Sequence, residues 1–286
     1  YIEAINFISQ KSIIEDKQEI QLNTLKQLKN RYRHHAVSTQ IDFEIAKIYK
    51  QQANTYSPKR DETHRFKNKD ALNTCELAIK LFPKSDGALN CIILKDQILQ
   101  SSLRITTEEH IPSNTPSRLL VDYKNTDQLF FSIYKIPHEA TKKFYKNKND
   151  SARFSFISEL EIVQKWNSTL RNENDYQQHK TEINVPKLPL GNYLVYSTIK
   201  NDSITTNKTN AFSIIQVTDL AILDNRQNDS YTYQVVNRNN GKPIANAKVN
   251  LKNAGSDRYG KSINKNFSTD ENGQFTLLSI NRHRNV

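Results

Sequence analysis

The 286 residues contain no methionine, one tryptophan, two cysteines and only six glycines. Six glycines leave little material for loops that cradle phosphates, and no G-x-G-x-x-G, Walker-type or G-x-S-x-G pattern occurs. The two cysteines have neither a C-x-x-C spacing nor a histidine close by, which argues against a zinc site. The seven histidines are scattered without an H-E-x-x-H. The adjacent pair His34-His35 would diverge by about 100° on a helix and could not clamp one ion from one face. No apolar run reaches the roughly 18 residues that a bilayer-crossing helix needs. There is no signal peptide and no initiator methionine, so a chain beginning at Tyr1 reads as an excised or matured fragment.

What the chain does carry is charge of both signs. Charged residues make up 25% and apolar residues 36%, a mixture that argues against global disorder but implies thin cores in two or three small domains. The net charge of +11 raises the question of a nucleic-acid partner, and its distribution answers no. Residues 1–100 hold 16 Lys+Arg against 12 Asp+Glu, and the remainder 25 against 18. Nucleic-acid modules instead gather cations on one face among stacking aromatics. The densest run, Lys142-Lys143-Phe144-Tyr145-Lys146-Asn147-Lys148, reads as a solvated loop.

Residues 1–100 read as α-helical. Ile13, Ile14, Leu22, Leu25, Leu28 and Tyr32 recur at helical spacings, as do Ile41, Ile45, Ile48 and Tyr49. Leu72, Cys75, Ile79 and Phe82 form a stripe ending at Pro83, which cannot continue a helix. Ser85 or Asp86 then caps a helix carrying Ala88, Cys91, Leu94 and Ile98. These are αα-hairpins of tetratricopeptide (TPR) type, with Ala71…Ala78-Ile-Lys-Leu-Phe-Pro83 similar to the end of such a repeat.

The character changes near Ser101. Strand-like segments occupy 103–107, 118–123, 129–136, 181–185, 193–198 and 212–217, then 218–223, 231–237, 245–251 and 275–278. Residues 138–160 interrupt the series and read as a long loop with a short helix over 154–160. Many short strands between turns predict antiparallel β-sandwiches, one over 101–217 and a second, unfinished, over 218–286. Asn240-Gly241 and Asn272-Gly273 mark tight turns with positive φ. Asp270-Glu271-Asn272-Gly273 lacks the spacing and terminal Glu of a calcium loop, and reads as a hairpin turn. Trp166, Phe130, Phe131, Tyr134, Tyr193 and Tyr196 are the expected sandwich core. Glu108, Glu109, Asp122 and Asp175 are the carboxylates to consider for acid–base work, but nothing sets one in apolar surroundings that would raise its pKa. Six Asn-x-Ser/Thr sequons, at Asn149, Asn167, Asn201, Asn207, Asn228 and Asn266, are accidental matches in so Asn-rich a chain. No catalytic, metal or cofactor-binding residue is nominated.

A resemblance rests on the order of several short motifs. Pro112…Pro116-Ser117-Arg118, Phe130-Phe-Ser-Ile-Tyr-Lys135, Leu188-Pro-Leu-Gly-Asn-Tyr193, Val217-Thr-Asp-Leu-Ala221, Gly241-Lys-Pro-Ile…Ala247-Lys-Val249 and Thr269-Asp…Asn272-Gly-Gln-Phe275 follow one another. In this the chain resembles the N-terminal part of bacterial α2-macroglobulin-like proteins, where helical repeats lead into successive macroglobulin (MG) domains. The resemblance implies a TPR-like leader and MG/Ig-like β-sandwiches that scaffold the bait and thioester regions of a protease inhibitor or trap. It also implies a periplasmic or cell-surface location, with membrane contact only through a lipid anchor outside this fragment. Proteases are the implied partners, through the full-length protein, with a protein partner at the helical leader. The Cys-x-Glu-Gln thioester signature is absent, since the cysteines read Cys75-Glu-Leu and Cys91-Ile-Ile. No enzyme activity and no cofactor are expected of this part. A surface adhesin or glycan-binding module, and an accessory part of a peptidase, stay open as alternatives.

Cys75 and Cys91 lie equally far on either side of Pro83, at matching heights on two antiparallel helices. With an oxidising periplasm this makes them a candidate structural disulfide, stabilising by about 2–4 kcal/mol. Two buried free thiols acting as small apolar residues are the alternative.

Overall fold

The computed structural model describes residues 1–146, 149–201, 209–227, 230–252 and 264–278. Five helices come first: α1 (Ile2–Lys11), α2 (Lys17–Arg31), α3 (Ser38–Ala53), α4 (Lys67–Leu81) and α5 (Asp86–Leu99). Their apolar stripes close two cores. Leu22, Leu25, Ile41, Ile45 and Ile48 form one. Ala46, Ala71, Cys75, Ala78, Cys91, Leu94 and Ile98 form the other. Ile13 and Ile14 depart from the expected stripe, because they fall in the break between α1 and α2 and are exposed. Ser85 caps α5, its Oγ accepting from the Ala88 N–H at 3.3 Å. In that first turn Gly87 lies against the start of α3, where a Cβ would come within 2.3 Å of the Gln40 nitrogen. Small residues therefore set how closely α5 and α3 approach.

Eight strands build the next unit: β1 (Ser102–Thr107), β2 (His110–Ile111), β3 (Ser117–Lys124), β4 (Gln128–Lys135), β5 (Glu161–Thr169), β6 (His179–Val185), β7 (Gly191–Thr198) and β8 (Asn210–Val217). They form a three-stranded sheet, β1-β3-β6, and a five-stranded sheet, β2-β8-β7-β4-β5. All pairings are antiparallel except the two-residue β2–β8 pair. Alternation places Ile105, Leu119, Val121, Leu129, Phe131, Ile133, Tyr193, Val195 and Ile215 on the facing surfaces as one core. The Leu188-Pro-Leu-Gly-Asn-Tyr193 motif forms a corner: Leu188 is buried, and the Tyr193 hydroxyl donates to the Pro189 carbonyl at 3.0 Å.

Residues 138–160, expected as a loop with a short helix, instead form two helices, α6 (His138–Lys146) and α7 (Asp150–Ser158). They cover part of the outer face of the five-stranded sheet, where Tyr134, Leu194 and Tyr196 meet Phe144, Phe154 and Ile157. The lysine run read as a loop thus lies largely on α6, with Phe144 turned into this second core against Phe212 at 4.9 Å between ring centroids. The expected aromatic core divides accordingly. Phe131 and Tyr193 are between the sheets, Trp166 stacks on Phe131 at 4.6 Å, and Tyr134 and Tyr196 belong to the outer face.

Five further strands, β9 (Leu220–Gln227), β10 (Ser230–Asn237), β11 (Lys248–Lys252), β12 (Asn264–Ser268) and β13 (Gln274–Leu278), form a sheet β13-β10-β9 and a hairpin β11-β12. The strand expected over 245–251 starts only at Lys248, because Asn246 takes φ 56° in a turn. The turn at Asp270–Gly273 also differs from expectation. Asp270 Oδ1 accepts from the Asn272 and Gln274 N–H groups and Gly273 has φ 71°, but β12 and β13 belong to different sheets, so the turn carries the chain across and closes no hairpin. No helix among the described residues is long and apolar enough to cross a membrane.

Candidate functional site

Cys75 on α4 and Cys91 on α5 face each other in the leader core, both fully buried. Both stand as free cysteines in the structure, within hydrogen-bonding reach of one another. That hydrogen bond and burial push the Cys91 thiol well above its ordinary pKa. A thiol held protonated is a poor nucleophile. Nearby on α3, the buried Asp42 is ion-paired with Lys29 at 2.5 Å, and burial raises its carboxyl above the usual range.

The leader is fastened to the first sandwich by the loop between β5 and β6. Asp175 on this loop is buried, and its carboxylate meets Arg65 Nε at 3.1 Å, His179 Nε2 at 2.8 Å and the Gln177 N–H at 3.0 Å. Burial opposes ionisation, but the hydrogen bonds from His179, Gln177 and Arg65 outweigh it and hold the carboxyl below its usual value. Arg65 also pairs with Glu173. Gln177 Nε2 donates to the carbonyls of Ala53 and Arg65, and Asn68 Nδ2 to that of Tyr176. Asn174 and Tyr176 sit at positive φ, which turns the Tyr176 ring on to the helical core. On the other side of the sandwich, Asp219 accepts from the Ser113 N–H at 2.9 Å and hydroxyl at 2.6 Å, and both bonds lower its pKa. Asp122 shows the same balance as Asp175: burial is outweighed by Arg104 and Lys180, and its pKa falls. Glu108 and Glu109 are exposed.

A cleft of about 510 Å³ opens on the outer face of the five-stranded sheet, beyond the end of α7. Phe130, Ser132 and Tyr134 of β4 and Tyr196 and Thr198 of β7 line its floor, with Lys165 and Asn167 from β5 and Lys200 at the side. Among the described residues no group of three or more His, Cys, Asp or Glu stands where it could hold a metal ion.

Of the carboxylates weighed from sequence, Asp122 and Asp175 are buried with their pKa lowered. For Asp175 two of the partners responsible are local, His179 and the Gln177 N–H, and only Arg65 is distant, at 110 residues. Asp122 takes Arg104 and Lys180 from the two strands flanking β3. His179 stands four residues past Asp175 where β6 begins, and the two meet because the intervening loop turns back through the positive-φ residues Asn174 and Tyr176. The cleft went unseen because β5 did. An exposed edge strand has no buried face to impose alternation.

The fold is similar to pieces of bacterial alpha-2-macroglobulins. With an Escherichia coli alpha-2-macroglobulin fragment spanning domains MG0-NIE-MG1 the identity is 14% and the TM-score 0.45, over 63% of this chain and 58% of that one. With an E. coli fragment spanning NIE-MG1 the identity is 14% and the TM-score 0.43, over 63% and 88%. With a Salmonella alpha-2-macroglobulin the values are 12% and 0.42, over 63% and 10%. No family model matches the sequence, and no curated protein matches it. Likenesses at these identities concern the fold alone.

Proposed function

We propose that the chain is a non-catalytic, structural portion of a bacterial α2-macroglobulin-like protease trap, with a helical leader over 1–100 and MG-type sandwiches over 101–217 and 218–286. The observation that carries this reading is where the lowered carboxylates are committed. Asp175 latches the leader to the first sandwich, Asp219 clasps the start of β9 to the loop at Ser113, and Asp122 is held by Arg104 and Lys180. None of them lines the outer-face cleft. Ionisable groups committed to joints make a support, whereas a reaction centre needs them convergent on an accessible surface. In this reading the chain holds bait and thioester regions of a longer protein in place, in the periplasm or at the cell surface, and its partners are proteases. The test incubates a longer protein carrying this chain with a panel of endopeptidases. Protease should be retained in a high-mass complex that cleaves small peptides but not proteins, while the 286-residue chain alone neither retains nor hydrolyses. Hydrolysis by the 286-residue chain, or no retained protease, would overturn the reading.

A further inference from the structure

β5 is the last strand of its sheet. It pairs with β4 on one side and, among the described residues, with no strand on the other. Beyond a register shift opposite Ile133 and Tyr134, Gln164–Thr169 runs as an unbroken ladder without proline or glycine, and β5 is exposed along most of its length. Such an edge presents free N–H and C=O groups at the spacing of another strand, and proteins blunt such edges with short strands, prolines, bulges, lysines or a cover. Of these β5 carries the register shift at one end and Lys165, leaving the ladder over Gln164–Thr169 open. Beside it lies the outer-face cleft, with Phe130 and Tyr134 as its apolar floor and Ser132 and Thr198 as hydroxyls. Lys165 and Lys200 line this cleft, and among the described residues no Asp or Glu does. Neither lysine has an ion-pair partner among the described residues. The Arg118–Glu182 pair near the opposite face of β5 is already matched, at 2.8 Å.

We propose that the free edge of β5 and this cleft bind an extended acidic peptide segment by strand addition. Main-chain hydrogen bonds to β5 would supply sequence-tolerant affinity. Side chains projecting on the outer face would stand beside Lys165 and Asn167 at cross-strand distance, with a carboxylate meeting Lys165. Phe130 on β4 and Lys200 beyond β7 lie two and three strand spacings from the added strand, and meet the peptide where it continues from the edge into the cleft. Only a polypeptide matches both the ladder and the alternation of charge and apolar surface. The partner is therefore assigned as acidic peptide rather than glycan or nucleic acid.

The experiment measures fluorescence anisotropy of the 286-residue chain with labelled eight-residue peptides. One alternates Glu with Val around a central Phe, a second has Lys for every Glu, and a third is the Glu peptide methylated at alternate backbone nitrogens. The Glu peptide should bind, the Lys peptide about tenfold or more weakly, and the methylated peptide not measurably. Binding should weaken with added salt and protect backbone amides within 164–169 from hydrogen exchange. The double variant K165E/K200E, changed only at exposed side chains, should reverse the preference between the Glu and Lys peptides. Equal affinity for both charges, binding that survives backbone methylation, or protection confined to other strands would each overturn the assignment.

Discussion

The helical leader and the first sandwich exclude water in opposite ways. In the leader core small residues, Ala46, Ala71, Ala78, Ala88, Gly87 and the two cysteines, bring α3, α4 and α5 close together, and Leu94 and Ile98 of α5 are the large side chains of the cluster. In the sandwich the same task falls to Phe131, Tyr193, Leu129, Ile133 and Leu119, large residues filling the gap of about 10 Å between facing sheets. The leader is accordingly sensitive to added volume and the sandwich to lost volume. The joint between them is polar and sensitive to protons.

The largest expected break is in the sandwich. Phe131→Ala removes a fully buried ring and the stacking partner of Trp166, and should lower unfolding free energy by about 3–5 kcal/mol in denaturant titrations. A loss under about 1 kcal/mol would mean the sheets close over the gap. Next is Gly87→Ala in the leader. Alanine ordinarily favours a helix over glycine by up to about 1 kcal/mol, but here its Cβ would stand 2.3 Å from the backbone of Gln40. The net expectation is a destabilisation of about 1–3 kcal/mol; a stabilised variant would show that α5 can slide away from α3. The smallest effect is at the joint. Asp175 has its carboxyl lowered in the folded state from an ordinary value of 3.8, so its contribution is complete above that value and is lost as pH falls through the depressed one. In acid titrations the stability of the native chain should fall more steeply below about pH 4 than that of Asp175→Asn. Parallel acid limbs would remove Asp175 from the latch.

Much of the fold was legible where burial imposes a period. The stripes through Leu72 and Cys75 and through Ala88 and Cys91, the stop at Pro83 and the alternation of β3 and β4 follow from one face meeting a core, while β7, buried on both faces, reads as a short continuous apolar run. Reading failed where burial did not impose one. β5 is an exposed edge, β12 (Asn264–Ser268) is a mostly exposed hairpin arm, and Ile13 and Ile14 are apolar yet solvent-facing. Within 138–160 the expected short helix over 154–160 overlaps α7, whereas α6 has no sequence signal, because its lysines read as a solvated run while the one ring it buries, Phe144, meets residues of other elements.

The site was less legible than the fold. That Cys75 and Cys91 would face each other followed from equal spacing about a proline, a local property. That Arg65 reaches Asp175 from 110 residues away, and that Lys165 and Lys200 share a cleft, depend on side chains brought together from distant segments. Sequence by itself determined the helices and strands that turn an apolar face to a core, since hydrophobic period and turn chemistry act within a few residues. Tertiary structure alone decided charge state, partner and exposed edge, because fields and hydrogen bonds act over ångströms of space however far apart their groups lie along the chain.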